Sequence, residues 1–131
     1  MGSPVRFNGL AKRPNHHLNA LHKFFQVTTF CPEVESGMSV PREPIRLVGE
    51  EPDLRLLDSN TQTEDYTDQI AEQARRFSTQ HPMLSGYVFV KGSPSCGMER
   101  VKRYNVAGNP VMADGRGRSE EHTSELQSPC N

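Results

Sequence analysis

The sequence predicts an α/β domain with a small parallel sheet and flanking helices. Three observations point there. Residues 63–80, "TEDYTDQIAEQARRFSTQ", repeat apolar positions at helical spacing. Short β-branched and aromatic runs, "QVTTF" at 26–30 and "GYVFV" at 86–90, read as strands. Helical and strand-like stretches alternate along the chain, the order that builds parallel sheets. With 131 residues, 34% hydrophobic, the chain has room for one domain with a modest core.

In chain order, "PVRFNGLAKRP" opens as an extended piece that breaks at the turn signal Asn8-Gly9. Asn15 is the expected cap of a helix whose face carries Leu18, Leu21, Phe24 and Phe25. The run 26–30 is expected to be a buried strand ending at "CPE", and "SGMSVPREP" an irregular loop because Pro41 and Pro44 forbid regular structure. "IRLVG" and "RLLDSN" read as short extended pieces. Asp65 or Thr67 is expected to cap the long helix, with Tyr66, Ile70, Ala74 and Phe77 on its inner face. "MERVKRYN" reads as a helix start or an extended arm, and "NVAGNPV" has the turn residues of a hairpin.

Charge and composition exclude several roles. A formal net charge of −1 gives no reason to expect nucleic acid or an anionic membrane surface as partner. No apolar run approaches the roughly 20 residues of a membrane span, and "MGSPVRFNG" has no apolar signal core, so a cytoplasmic protein is expected. Residues 118–131, "RSEEHTSELQSPCN", carry no periodic apolar pattern. "RSEEHTSELQSP" looks like one reading-frame translation of a sequencing adapter, so this segment is expected to be a disordered artefact and Cys130 to have no role. That leaves residues 1–117 as the domain. The sequence sets no oligomeric state.

Three cysteines in a reducing compartment point to metal or chemistry before disulfides. Cys31 follows one predicted strand and Cys96 lies just beyond another, in the turn "KGSPSCGMERVK". Ligands of parallel α/β sheets bind at the carboxyl ends of strands. The two thiols therefore fit a shared metal or reactive site, or else two structural cysteines at loop starts. The absence of a C-x-x-C pair argues against a zinc ribbon. Glu33 is placed to act as acid or base, Ser93 and Ser95 to hydrogen-bond a substrate or water, and Arg6 and Arg42 to bind an anionic or carbonyl-rich ligand.

The motifs "PVRFNG", "FCPEVESGMSVPREPIRLV" and "KGSPSCGMERVK" together resemble the bacterial thiouracil desulfurases, over Pro4 to about Val111. The wording is most similar to the long proteobacterial form, in which a helical domain follows. The resemblance implies a Rossmann-like α/β domain whose 4Fe-4S cluster is held by three cysteines. Cys31 and Cys96 match two of the three ligand positions. It also implies non-redox desulfurisation of a thiolated pyrimidine such as thiouracil, in which an open iron binds the thiocarbonyl sulfur and water attacks the ring carbon. Glu33 and Ser93 are then the expected proton-handling residues, with Ser95 beside them.

One departure from the family pattern matters. The third ligand belongs to a Cys-Leu-x-Gly motif just before "PVRFNG", where this chain has Met1-Gly2-Ser3. The expectation is therefore an incomplete domain lacking its first strand and one cluster cysteine, and so an inactive fragment. The alternative is a non-catalytic cluster- or metal-binding module serving an absent helical domain.

Overall fold

In a computed structural model the protein is described over residues 4–11, 13, 16–97 and 101–115. Asn15 and residues 118–131, with Cys130, lie outside the described residues. The α/β expectation holds. A four-stranded sheet runs in the order β2-β1-β3-β4, with β1 at Ile45–Val48, β2 at Arg55–Asp58, β3 at Val101–Tyr104 and β4 at Pro110–Gly115. Its central pair, β1 and β3, is parallel, and each edge strand joins antiparallel, so the sheet is mixed.

Alternation along these strands sets the core. Ile45 and Leu47 face the same side of β1, and Leu47 pairs in register with Leu56 of β2. With Leu54, Ile70 and Val101 they form one buried cluster, against which Met38 and Tyr66 pack. Full burial of such side chains contributes about 1.5–3 kcal/mol each. The long helix, numbered α3 at Thr67–Gln80, buries Thr67, Ile70, Ala71 and Ala74 and packs on β2. Its start is tied to that strand. Thr67 Oγ1 accepts the Leu56 N–H at 2.8 Å, and Asp65 Oδ1 accepts the Thr67 N–H at 2.9 Å. The N-cap position itself is Tyr66, without a side-chain cap bond, so neither Asp65 nor Thr67 is the expected cap; they flank Tyr66 and tie the helix start to the sheet instead.

Asp58 closes the β2–α3 connection. Its carboxylate accepts backbone N–H groups of Asn60, Thr61, Thr63 and Glu64. These donors, Glu64 and Thr61 foremost, hold its carboxyl well below the usual carboxylate range. The β3–β4 hairpin turns as expected at residues 105–109, where Gly108 has φ +86° and donates its N–H to Asn105.

Three expectations need correction. The first helix, α1 at His16–Leu21, is only six residues long and buries none of them. Phe24 and Phe25 fall beyond it and are exposed. Residues 26–30 and 86–90 are extended but belong to no strand, and Val27 and Val88 are exposed. Strand composition alone does not make a strand; a neighbouring backbone must pair with it. Among the described residues, no helix is long and apolar enough to cross a membrane.

Candidate functional site

Cys31 enters the site as the residue before a one-turn helix, α2 at Pro32–Glu35, with Pro32 at its first position. The turn is closed by Glu35 N–H donating to the Cys31 carbonyl at 2.9 Å. That turn fixes Glu33 two residues beyond the thiol. Cys96 is fixed differently. Gly97 donates its N–H to the Ser93 carbonyl at 2.8 Å, closing a tight turn around Pro94, Ser95 and Cys96. A Cβ on Gly97 would lie 2.6 Å from the Ser93 carbonyl oxygen and 2.7 Å from Val101 Cγ2. Only glycine allows this approach, so the residue after Cys96 is set by the turn that presents the thiol.

The two turns meet. Ser95 Oγ–H donates to Glu33 Oε1 at 2.7 Å across 62 positions of sequence. Ser93 Oγ lies 3.1 Å from Ser95 Oγ, accepts the Cys96 N–H at 3.3 Å, and accepts from Cys96 Sγ at the same distance. On the far side of Glu33, Arg42 Nε donates to Oε2 at 2.8 Å, with its Nη2 2.6 Å from the same oxygen. A continuous chain of polar side chains thus runs from Arg42 through Glu33, Ser95 and Ser93 to Cys96. Ser95 is buried at 1% exposure. Burial pushes the Cys96 thiol above the usual thiol range, and the hydrogen bonds with Ser93 and Ser95 partly oppose this.

The structure links Glu33, Ser95, Ser93 and Cys96 by hydrogen bonds, with Cys31 two residues before Glu33, although the lead-in segments of both turns are not laddered strands. Arg42 lies among protein acceptors. Its guanidinium meets Glu33, the Ser39 carbonyl at 3.2 Å and the Val5 carbonyl at 2.8 Å, leaving the side chain 6% exposed. Arg6 differs, standing exposed on the turn closed by Gly9 N–H to its carbonyl. Sequence reading missed the Glu33–Arg42 pair. Its one signal was an acid and a base nine positions apart across a proline-bounded loop.

Both thiols are free, and thiolates are the usual cluster ligands. By donor chemistry each is therefore suited to ligate iron. Among the described residues, no group of three or more His, Cys, Asp or Glu side chains is placed to hold a metal ion. An open groove of about 290 Å³, with Thr28, Phe30, Arg76, Phe77 and His81 in its walls, contains none of the predicted site residues.

Comparison with known proteins bears on the family and the fold. The family model for 2-thiouracil desulfurase matches residues 1–127. Among solved structures, the chain is similar to a 4Fe-4S-dependent thiouracil desulfidase, TudS, with 29% identity and a TM-score of 0.69. The match covers 96% of this chain and 78% of that one. No curated protein matches the chain significantly.

Proposed function

The chain belongs to the 2-thiouracil desulfurase family, and from that premise we propose that it is the iron–sulfur domain of a thiouracil desulfidase-type enzyme. The reaction replaces the thiocarbonyl sulfur of a thiolated pyrimidine with oxygen from water, releasing sulfide without net redox change. The observation that carries this reading is the polar chain from Arg42 through Glu33 and Ser95 to Cys96.

Cys31 and Cys96 are assigned as cluster ligands. A 4Fe-4S cluster bound there supplies a Lewis-acidic iron for the thiocarbonyl sulfur. The protein's own part is proton handling. Glu33, held as an acceptor by Arg42, takes a proton from the attacking water. Ser95 keeps that carboxylate directed toward the Cys96 turn, and Ser93 extends the hydrogen-bond path to the thiol side. Arg6, exposed on its turn, is assigned to a pyrimidine carbonyl oxygen.

In this reading residues 1–117 form the catalytic domain and residues 118–131 contribute nothing to it. Outside the tail, residues 1–117 hold no cysteine besides Cys31 and Cys96 to supply the third thiolate of the family pattern. We therefore propose that the chain as it stands holds a cluster weakly and turns over poorly.

The test is anaerobic iron reconstitution and thiouracil turnover, comparing this chain with a form carrying Cys-Leu-x-Gly before "PVRFNG". The extended form is expected to bind about four irons per chain and to release uracil. In that form C96A should lose the cluster, and E33Q should keep it while losing about 100-fold or more in turnover. A fully loaded C96A would remove Cys96 from the ligand set. A fully loaded extended form that releases no uracil would leave a cluster-carrying module in place of an enzyme.

A further inference from the structure

We propose that Arg42 is the positioning residue that couples the segment 5–10 to the Glu33–Ser95 pair, so that ordering this segment and aiming the acid are one event. The proposal deepens the desulfidase reading and rests on it for the catalytic part only.

Arg42 grips the segment twice. Its backbone N–H donates to the Phe7 carbonyl at 2.7 Å, and its Nη2 donates to the Val5 carbonyl at 2.8 Å. The same Nη2 lies 2.6 Å from Glu33 Oε2, and Nε donates to that oxygen. One guanidinium nitrogen is thus shared between a main-chain carbonyl and the candidate base. Nη1, on the Ser39 carbonyl, fixes the remaining edge of the planar group.

The burial pattern gives this sharing consequences. The Arg42 and Glu33 side chains are 6% and 13% exposed, so water is a poor substitute for either partner. Glu33 has one oxygen on Arg42 and the other on Ser95, and a rotation that released Arg42 would also misalign Ser95. The gripped segment carries Arg6, exposed at the turn between Val5 and Gly9. Arg42 therefore sets the place of two groups assigned to the reaction while touching no substrate itself. Lysine cannot replace it, because a single ammonium cannot span Glu33, Ser39 and Val5 in one plane.

Two measurements test this, the first on the chain itself and the second on its N-terminally extended form. The first is amide hydrogen exchange without iron, read at Arg6, Gly9 and Leu10 with α3 and β1 as fold controls. R42Q and R42K should each speed exchange in the segment by about tenfold or more, with the controls unchanged. E33Q should also speed it, since it removes the anion that holds the guanidinium. The second is kinetics of the iron-loaded, N-terminally extended form. R42Q should lower kcat by about 10–100-fold with KM within about threefold of wild type, and R42K should recover only part of that loss. Unchanged exchange in both arginine variants would overturn the coupling, as would R42K with full kcat. A rise in KM at unchanged kcat would make Arg42 a substrate contact and overturn it too. Should R42Q fail to fold, R42K and E33Q decide. Wild-type protein that loads iron but shows no turnover would sink the desulfidase reading, while the exchange arm would still decide the clasp.

Discussion

Glu33 has both carboxylate oxygens occupied by protein donors, one by Arg42 and the other by Ser95. A group held this way costs little further ordering when it acts, which is how positioned residues lower barriers. Gly97 plays the matching part for the thiol. Replacing it with alanine puts a methyl group 2.6 Å from a backbone oxygen, so the Ser93–Gly97 turn must open. G97A should cost about 1–3 kcal/mol of stability and should lower iron retention, both measurable on one preparation. Gly86, where a Cβ would meet nothing within 4 Å, is the control, and G86A should change neither. Equal iron retention in the two variants would mean that the turn does not position Cys96. At this scale the sequence was informative about chemistry. Cys31, Glu33, Ser93, Ser95 and Cys96 were all legible as candidates, whereas Arg42 was legible only as a cation of unknown partner.

At the scale of elements, the β2–α3 connection shows how a few polar groups fix a helix on a sheet. Thr67 is 2% exposed and links the Leu56 N–H to Asp65. T67V keeps the shape but leaves that N–H without its acceptor, and should lower stability by about 1–3 kcal/mol in urea unfolding. Asp58 adds a pH dependence whose sign follows from its depressed pKa. The unfolded chain binds a proton at this site near the ordinary aspartate value of about 4, while the folded state takes it up only at lower pH. The stabilisation is therefore complete above that value and is lost as pH falls through the folded one. D58N should be less stable at neutral pH and should show a shallower loss toward acid. An unchanged acid slope would show that another carboxylate controls it. Elements were partly legible. α3, β1, β2 and the β3–β4 hairpin followed from periodicity and turn residues, but 26–30 and 86–90 read as strands and are unpaired. Their composition favours a ladder, and pairing depends on a neighbour that local sequence does not specify.

At the scale of the whole molecule, one buried cluster spans β1, β2, β3 and α3, and the turns carrying Cys31 and Cys96 attach to its edge. Val101, 1% exposed in that cluster, stands within reach of any Cβ added at Gly97. Core and site therefore share a boundary. The adapter-like tail belongs to neither in the proposed reading. Deleting residues 118–131 should leave the unfolding midpoint and iron loading unchanged, and a loss in either would show that the tail packs on the domain.

The sequence by itself determined the α/β class, the family and the pair of thiols, because periodicity, turn residues and long motifs are local signals. Only the tertiary structure decided that the two turns meet through Glu33 and Ser95, that Arg42 pairs with Glu33, and which extended runs become strands. Those outcomes depend on contacts across tens of residues, where burial leaves a polar group few partners and the fold chooses which one it receives.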